Sequence, residues 1–283
     1  MPPRPAPTAR QQRLGAELRK LREHAAMTAP QAAKHLGTNR TGISNIEAGR
    51  FGVSAERVRA LARIYGCEDR SYVNALAAMA EERTRGWWEE YRGSIPVGAL
   101  DVAELEHHAH RIRTIQIMHM PGLLQTEDYA KAVLATAVPS PAPAELRRRL
   151  SFRMRRRDVL DKESAPICTF LIHEAAMRMQ FGGPKVARRQ LAHVLEATER
   201  DNVAVRAIPF IAGGFPNAGI STLYAAGPVV QLDTVHLDVA HGSALLDADT
   251  QLTNYRDILD RTEEVSLSIE GTHALMLEII KKL

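Results

Sequence analysis

The chain has 283 residues, of which 45% are hydrophobic and 25% charged, so it can bury the cores of about two globular domains. Its two cysteines, Cys67 and Cys168, lie too far apart in the chain for a disulfide framework or a cysteine metal site. The net charge of +4 is unevenly spread: residues 1–85 carry 15 Lys/Arg against 8 Asp/Glu, whereas the remainder carries 22 against 25. A basic first third is typical of a nucleic-acid-binding head, although ordinary charge fluctuation also produces such a balance.

Targeting signals are not evident in the sequence. The first residues, Met1 to Pro7, lack the apolar segment of a signal peptide, and no apolar run approaches the length needed to cross a bilayer. We therefore expect a cytoplasmic protein with no membrane partner, which associates with the nucleoid when it is bound to DNA.

The first third of the chain is predicted to be helical. Residues 1–8 are rich in Pro and Ala and are predicted to form a disordered tail. Residues 9–85 then show five segments with helical spacing of apolar residues, which predicts an all-α domain. The predicted helices cover residues 11–26, 29–36, 40–48, 55–65 and 68–85, with Thr28, Asn39 and Ser54 as N-caps.

The third helix has the pattern of a recognition helix. Ile43 and Ile46 share the buried side, and Gly49 is suited to end the helix. We assign base-edge contacts to Arg40, Thr41 and Asn45, because Arg suits guanine and Asn suits adenine. Contacts that bind phosphate or position the helix are assigned to Gln31, Asn39, Ser44 and Arg50. Glu47 would be repelled by phosphate and is interpreted as structural.

The motifs Ala32-Ala33-Lys34-His35-Leu36-Gly37 and Ile43-Ser44-Asn45-Ile46-Glu47-Ala48-Gly49-Arg50 resemble the Xre/Cro/C1-type helix-turn-helix family. Small Ala33 would allow close helix packing, and Gly37 would supply a positive φ at the turn. The chain departs from the family at Ala29, where Gln is common, and at Gly42 inside the recognition helix. This glycine would either bring the backbone close to DNA or be merely tolerated. For a recognition helix of this kind we expect a homodimer that binds double-stranded DNA at a palindromic operator.

Residues 86–283 are predicted to form an α+β domain with a mixed or antiparallel sheet. The domain begins at an aromatic pair, Trp87 and Trp88, which would either seal a domain interface or act as local core anchors. Predicted strands cover residues 112–118, 165–173, 203–208, 219–225 and 229–237. Predicted helices cover residues 104–110, 126–137, 144–160, 184–200, 250–264 and 268–283.

Several strings of this second region, above all Pro121-Gly122-Leu123-Leu124-Gln125-Thr126, resemble a group of actinobacterial Xre-type regulators. These are the WhiJ-like or Scr1-type antitoxin-like proteins, whose C-terminal domain was long of unknown function. Further matching strings are Gly86-Trp87-Trp88, His173-Glu174-Ala175-Ala176 and Pro209-Phe210-Ile211-Ala212-Gly213. The resemblance implies a DNA-binding regulator encoded near a small partner protein.

Seven arginines lie between Arg147 and Arg157, more than the acidic residues nearby in sequence can neutralise. A charge run on a helix is most often a solvated face, but this density also suits an acidic partner protein or the DNA backbone. Partner-binding residues are predicted to be Arg148, Arg149, Arg153 and Arg156.

Catalytic and metal-binding constellations are weak. His107, His108, His110 and His119 lack cysteine support, and His173-Glu174 lacks the second histidine of a zinc-protease motif. Neither a phosphate-binding glycine loop nor a nucleophile elbow is present. We therefore expect no enzyme, no metal and no cofactor, while a small-molecule pocket leaves no signature in the sequence.

The sequence predicts one function and leaves one alternative to it. The first is a sequence-specific transcriptional regulator whose C-terminal domain dimerises and binds a small partner protein. The alternative is an antitoxin-like module that sequesters a small neighbouring-gene protein and uses DNA binding for autoregulation. The operator, the sign of regulation and the docking surface are not specified by the sequence.

Overall fold

The computed structural model describes residues 7–82, 85–239 and 242–283. The chain divides into two compact units, Met1–Trp87 and Trp88–Leu283. Most of the predicted tail at residues 1–8, and residues 83–84 of the predicted fifth helix, lie outside the described residues.

The first unit contains the five predicted helices of the helix-turn-helix domain. They are α1 (Ala9–His24), α2 (Ala29–Leu36), α3 (Arg40–Glu47), α4 (Ala55–Ile64) and α5 (Arg70–Glu81).

Polar N-cap side chains start all five helices. Each accepts a hydrogen bond from the backbone N–H three residues later; the caps are Thr8, Thr28, Asn39, Ser54 and Asp69. Thr8 and Gln11 form a reciprocal capping box, so α1 begins two residues earlier than predicted, and Thr8 is part of the helix start rather than of a tail.

The helical core is made of aliphatic side chains at the predicted spacing. The fully buried ones include Leu18, Ile43, Leu61 and Leu76, one from each of α1, α3, α4 and α5. A buried polar contact joins α1 to α5: Glu17, only 2% exposed, accepts a hydrogen bond of 2.5 Å from the hydroxyl of Tyr72.

The second unit is an α+β domain built on a six-stranded mixed sheet, which confirms the predicted fold class. The strands are β1 (Arg111–Gln116), β2 (Ile167–His173), β3 (Val203–Ile208), β4 (Thr222–Ala226), β5 (Thr234–Val239) and β6 (Gly242–Leu246). Their order is β3-β2-β1-β4-β5-β6. β1, β2 and β3 are parallel, whereas the pairs β1–β4, β4–β5 and β5–β6 are antiparallel.

Helices cover both faces of this sheet. They are α6 (Val97–His108), α7 (Glu127–Ala135), α8 (Pro143–Arg156), α9 (Glu174–Arg178), α10 (Pro184–Ala197), α11 (Asp249–Glu264) and α12 (Ile269–Lys282). On one face Ile112 and Phe170 share a core with Leu191 of α10 and Met276 of α12. On the other face Leu171 and Val235 pack with Leu252 and Leu259 of α11.

The strand predictions fail where apolar residues lie in turns. The strand predicted from residue 229 begins only at Thr234, because Val230 to Leu232 form a short 3-10 helix in which Val230 is exposed. β6 is not predicted at all, since its residues are mostly exposed and begin with glycine and serine. Trp88 is buried against His107 and His108 of α6, so it acts as a local core anchor of the second domain.

Candidate nucleic-acid interface

The turn between α2 and α3 has the geometry of a helix-turn-helix. Gly37 ends α2 in the left-handed conformation with φ of 66°, as predicted. Two residues later Asn39 starts α3, and its side-chain oxygen accepts the N–H of Gly42 at 2.7 Å. Ala33 is almost fully buried where α2 packs against α3. The turn at Gly37 and the cap at Asn39 therefore set where α3 begins and in which direction it runs.

The two sides of α3 differ sharply in chemistry. Ile43 and Ile46 are buried in the domain core. Arg40, Thr41 and Ser44 are exposed on the opposite side, and Asn45 is partly exposed beside them. Among the described residues, no side chain forms a hydrogen bond or an ion pair with any of these four polar side chains. Their donors and acceptors are therefore available to an external partner.

Two of the predicted phosphate-contacting side chains already have structural roles. The side-chain oxygen of Asn39 caps α3, and that of Gln31 accepts a hydrogen bond from the backbone N–H of Thr28 at 2.8 Å. The same oxygen of Gln31 also accepts the hydroxyl of Thr28 at 2.7 Å. Only the amide NH₂ groups of Asn39 and Gln31 are left to donate to DNA. Arg50 is exposed and has no side-chain partner among the described residues.

Gly42 serves the cap of α3. A Cβ atom at this position would lie 2.8 Å from Oγ1 of Thr38 and 3.3 Å from Oδ1 of Asn39. A larger residue would push these two side chains away from the first turn. The glycine is thus explained by contacts inside the domain.

Glu47 is structural, as predicted. Its carboxylate accepts two hydrogen bonds from the guanidinium of Arg22 in α1, at 2.6 and 3.0 Å. A third bond from Arg22 goes to the backbone carbonyl of Met27. The hydrogen bond with Glu47 raises the pKa of Arg22, against the opposing effect of burial. This bidentate pair fixes the end of α3 to α1.

Two glycines, Gly15 and Gly49, allow α1 and α3 to approach each other closely. Gly49 is predicted only to end α3, and no role is predicted for Gly15. A Cβ atom on Gly15 would lie 2.5 Å from the carbonyl oxygen of Glu47 and 2.7 Å from that of Ile46. On Gly49, which has φ of 67°, it would lie 2.8 Å from the carbonyl oxygen of Gln11. Gly49 therefore both ends α3 and permits this contact. No local signal in the sequence identifies Gly15, because its partner is 32 residues away.

The predicted basic surface on α8 is not one surface, which corrects the expectation for two of its four residues. Arg153 and Arg156 point into the domain: Arg153 donates to Oε1 of Gln125 at 2.9 Å, and Arg156 binds the buried carboxylate of Glu106. Arg149 pairs with Glu145 one turn earlier. Arg148 is exposed. The prediction rests on the scarcity of acidic residues close to α8 in sequence, whereas Glu106 and Gln125 are distant in sequence and are brought to α8 by the fold.

Within the described ranges, no group of three or more His, Cys, Asp or Glu side chains is arranged to hold a metal ion. No helix there is long and apolar enough to span a membrane. His107 and His108 instead pack their rings on Trp88.

Comparison with known families agrees with this division of the chain. Residues 13–76 match the family described as "Helix-turn-helix domain", and residues 99–278 match the one described as "Domain of unknown function (DUF5753)". No curated protein and no solved structure matches the chain. The first match indicates a DNA-binding regulator rather than an enzyme. The second covers more than half of the sequence, so the chain belongs to the family "Domain of unknown function (DUF5753)", here joined to an N-terminal helix-turn-helix domain.

Proposed function

We propose that this chain is a sequence-specific transcriptional regulator in which α3 enters the major groove of DNA. The carrying observation is the exposed polar side of α3, whose side chains have no partner among the described residues, on a helix held to α1 by Arg22 and Glu47. Because the helix is already held in place, its backbone loses little further conformational freedom on binding. The major groove admits one α-helix and displays a distinct donor and acceptor pattern for each base pair.

Within this proposal, Arg40 binds a guanine edge, Asn45 an adenine edge, and Thr41 a further base edge. The remaining contacts are to phosphate and set the position of the helix; they come from Gln31, Asn39, Ser44 and Arg50. For Gln31 and Asn39 the contact is made through the amide NH₂, because their oxygens are used in the caps.

The proposal includes a homodimer. An eight-residue recognition helix contacts only a few base pairs, so a specific site needs a second copy. The two half-sites are then about one helical turn apart and related by a twofold axis. Footprinting of the chain's own promoter region, combined with light scattering of the free protein, tests this arrangement.

The assignment of bases and phosphates is tested by fluorescence anisotropy with the footprinted operator and a scrambled duplex. Arg40→Ala removes the preference for the operator, whereas Arg50→Ala weakens binding to both duplexes and lowers the salt dependence. Arg19→Ala is the control, because Arg19 is already paired with Glu23 at 2.7 Å on α1. Unchanged discrimination by the Arg40→Ala variant would show that this base contact is assigned wrongly.

A second candidate function is an antitoxin-like module that sequesters a small protein encoded by a neighbouring gene, with DNA binding serving autoregulation. It is favoured by the resemblance to WhiJ-like or Scr1-type regulators and by exposed Arg147 and Arg148 on α8, which have no described partner. Co-expression with the neighbouring gene product tests it. Arg148→Glu should reduce co-purification, while Arg19→Glu should leave it unchanged; toxicity of the product alone separates this function from simple regulation.

A further inference from the structure

The inward side of α8 carries three arginines with different partners. Arg149, Arg153 and Arg156 are spaced four and three residues apart, so they form one stripe along the helix. Arg149 pairs with Glu145. Arg156 donates two hydrogen bonds, of 2.9 and 2.6 Å, to Glu106, whose residue is only 2% exposed. These two cations are neutralised within the domain.

Arg153 differs, because no carboxylate among the described residues lies within ion-pair distance of it. Its one described hydrogen bond goes to the amide oxygen of Gln125 at 2.9 Å. Gln125 is fully buried and donates in turn to the carbonyl of Met120 at 2.7 Å. Burial, followed by the positive charge of Arg156, lowers the pKa of Arg153 to about 10, even though Asp238 and Glu106 act in the opposite direction. An enclosed cation without a paired anion is costly in free energy.

Three further titratable groups surround Arg153. Burial lowers the pKa of His119, and Arg153 lowers it further, whereas Asp238 raises it. Burial also lowers the pKa of His236, and so does Arg156, again against Asp238. These electrostatic influences, together with the hydrogen bonds that run from His119 through Met120 and Gln125 to Arg153, group the five side chains in one polar cluster. Asp238 is exposed and both histidines are partly exposed, so the cluster is accessible to solvent.

The strand residues of this polar cluster lie on one face of the sheet. His236 and Asp238 alternate along β5 and therefore lie on one face. His236 is in register with Leu223 of β4, which is in register with Thr114 of β1. On β1 the side-chain oxygens of Thr114 and Gln116 are buried and have no hydrogen-bond partner. Buried polar atoms without partners are rare and call for an explanation.

The polar residues of β1 and β5 meet at the same edge of the sheet. β1 and β5 run in the same direction, since each is antiparallel to β4, and the polar residues lie towards their carboxyl ends.

We propose that this polar cluster, defined by His119, Arg153, His236 and Asp238, binds a small molecule through its carboxylate or phosphate group. The guanidinium of Arg153 holds the anionic group, because its remaining N–H donors match the oxygens of either group. Neutral His236 donates a further hydrogen bond, whereas the single N–H of neutral His119 already donates to the carbonyl of Met120 at 3.1 Å, so His119 lines the site without donating to the anion. Asp238 at the opening accepts one from a hydroxyl or amine of the same ligand. This site is independent of the proposed DNA binding.

Thermal unfolding of the full chain at pH 7.5 tests the site, with inorganic phosphate or acetate compared with chloride at equal ionic strength. One of these anions should raise the Tm of the unchanged protein. A larger rise with phosphate indicates a ligand with a phosphate group, and a larger rise with acetate indicates a ligand with a carboxylate. The rise is lost in Arg153→Met. It persists in Arg148→Met, which removes an exposed charge from the same helix, and in Arg40→Met, which removes one from the DNA-binding side. No rise with either anion, or an equal rise in Arg153→Met, overturns the proposal.

Two further measurements separate binding from a merely structural role. In histidine NMR titrations the bound anion raises the pKa of His119 and His236, while Arg153→Met raises that of His119 in the free protein. Without anion, Arg153→Met lowers the Tm much less than Arg156→Met does, because it removes a cation without a paired carboxylate and leaves only the amide oxygen of Gln125 without its donor. A fall in Tm as large as that of Arg156→Met would assign Arg153 to the structure and overturn the proposal.

Discussion

The two domains use buried charge in different ways. In the helical domain Arg22 and Glu47 form a bidentate pair that fixes α3, and the arginines of α3 and its flank are left on the surface. In the α+β domain Arg156 and Glu106 form a similar pair, yet Arg153 is enclosed beside it without a carboxylate. The same residue type therefore stabilises a fold when it is paired, is proposed to contact DNA where it is exposed, and is proposed to hold a ligand where it is enclosed without an ion-pair partner.

Breaking the ion pair of Arg156 and Glu106 in the α+β domain should have the largest effect on the free energy of unfolding. Arg156→Met leaves the carboxylate of Glu106 buried without a partner, which costs about 3–5 kcal/mol of unfolding free energy. Urea unfolding followed by tryptophan fluorescence measures the loss, since Trp88 belongs to this domain. The matched variant Arg148→Met changes an exposed residue of the same helix and should alter stability by less than about 0.5 kcal/mol. Equal effects of the two variants would contradict the assigned pairing.

In the helical domain, stability should be most sensitive to a substitution at the close contact between α1 and α3. Gly15→Ala places a methyl group 2.5 Å from the carbonyl oxygen of Glu47 and should cost about 1–3 kcal/mol through overpacking. Because the contact sets the position of α3, operator affinity should fall as well. Gly52→Ala is the control, since a Cβ atom there meets nothing within 4 Å. A Gly15→Ala variant as stable as the control would show that this contact relaxes freely.

The cap of α3 should have a smaller effect. Asn39→Ala removes the acceptor for the N–H of Gly42 and should cost about 1 kcal/mol of unfolding free energy. Asn39→Ser keeps an acceptor at the cap but has no amide NH₂ for phosphate. Thermal unfolding and operator binding, measured on both variants, separate the two roles. If serine restores stability but not affinity, the amide group contacts DNA; if it restores both, Asn39 is only a cap.

A pH effect, spread over several groups, should appear in the α+β domain. Burial lowers the pKa of His119, His173, His193 and His236. The unfolded chain, with histidine pKa values of about 6.5, therefore binds protons more readily than the folded one. The folded state therefore keeps its full stability above the unfolded-state pKa of about 6.5. Stability is lost as the pH falls from there towards the lower pKa values of the folded state. Unfolding free energies at pH 7.5 and 5.5 check the sign, and a gain on acidification would contradict it.

Local chemistry explains why the helix-turn-helix could be predicted from the sequence. Its caps act over three residues, as at Thr28 and Asn39, and the turn at Gly37 needs only a positive φ. The exposed side of α3 follows from the spacing of Ile43 and Ile46 alone. The strand 203–208 was predicted at its observed bounds, because a short and largely apolar run is typical of a buried strand.

The contacts of α8 and of Gly15 could not be predicted in this way. A run of arginines on a helix has no intrinsic direction, and the partners of Arg153 and Arg156, Gln125 and Glu106, lie 28 and 50 residues away. β6 was missed for a related reason: an exposed edge strand has no apolar alternation and is defined by its pairing with β5.

The sequence by itself determined the elements whose signals are local: the five helices, the caps Thr28, Asn39 and Ser54, the polar side of α3 and the approximate positions of the buried strands. Only the tertiary structure decided which charged groups meet and which are left alone. It paired Arg22 with Glu47 and Arg156 with Glu106, and it enclosed Arg153 with no carboxylate of the described residues within ion-pair distance. The physical reason is that the energy of a buried charge depends on the few ångströms around it, and those neighbours are brought together by folding rather than by order in the chain.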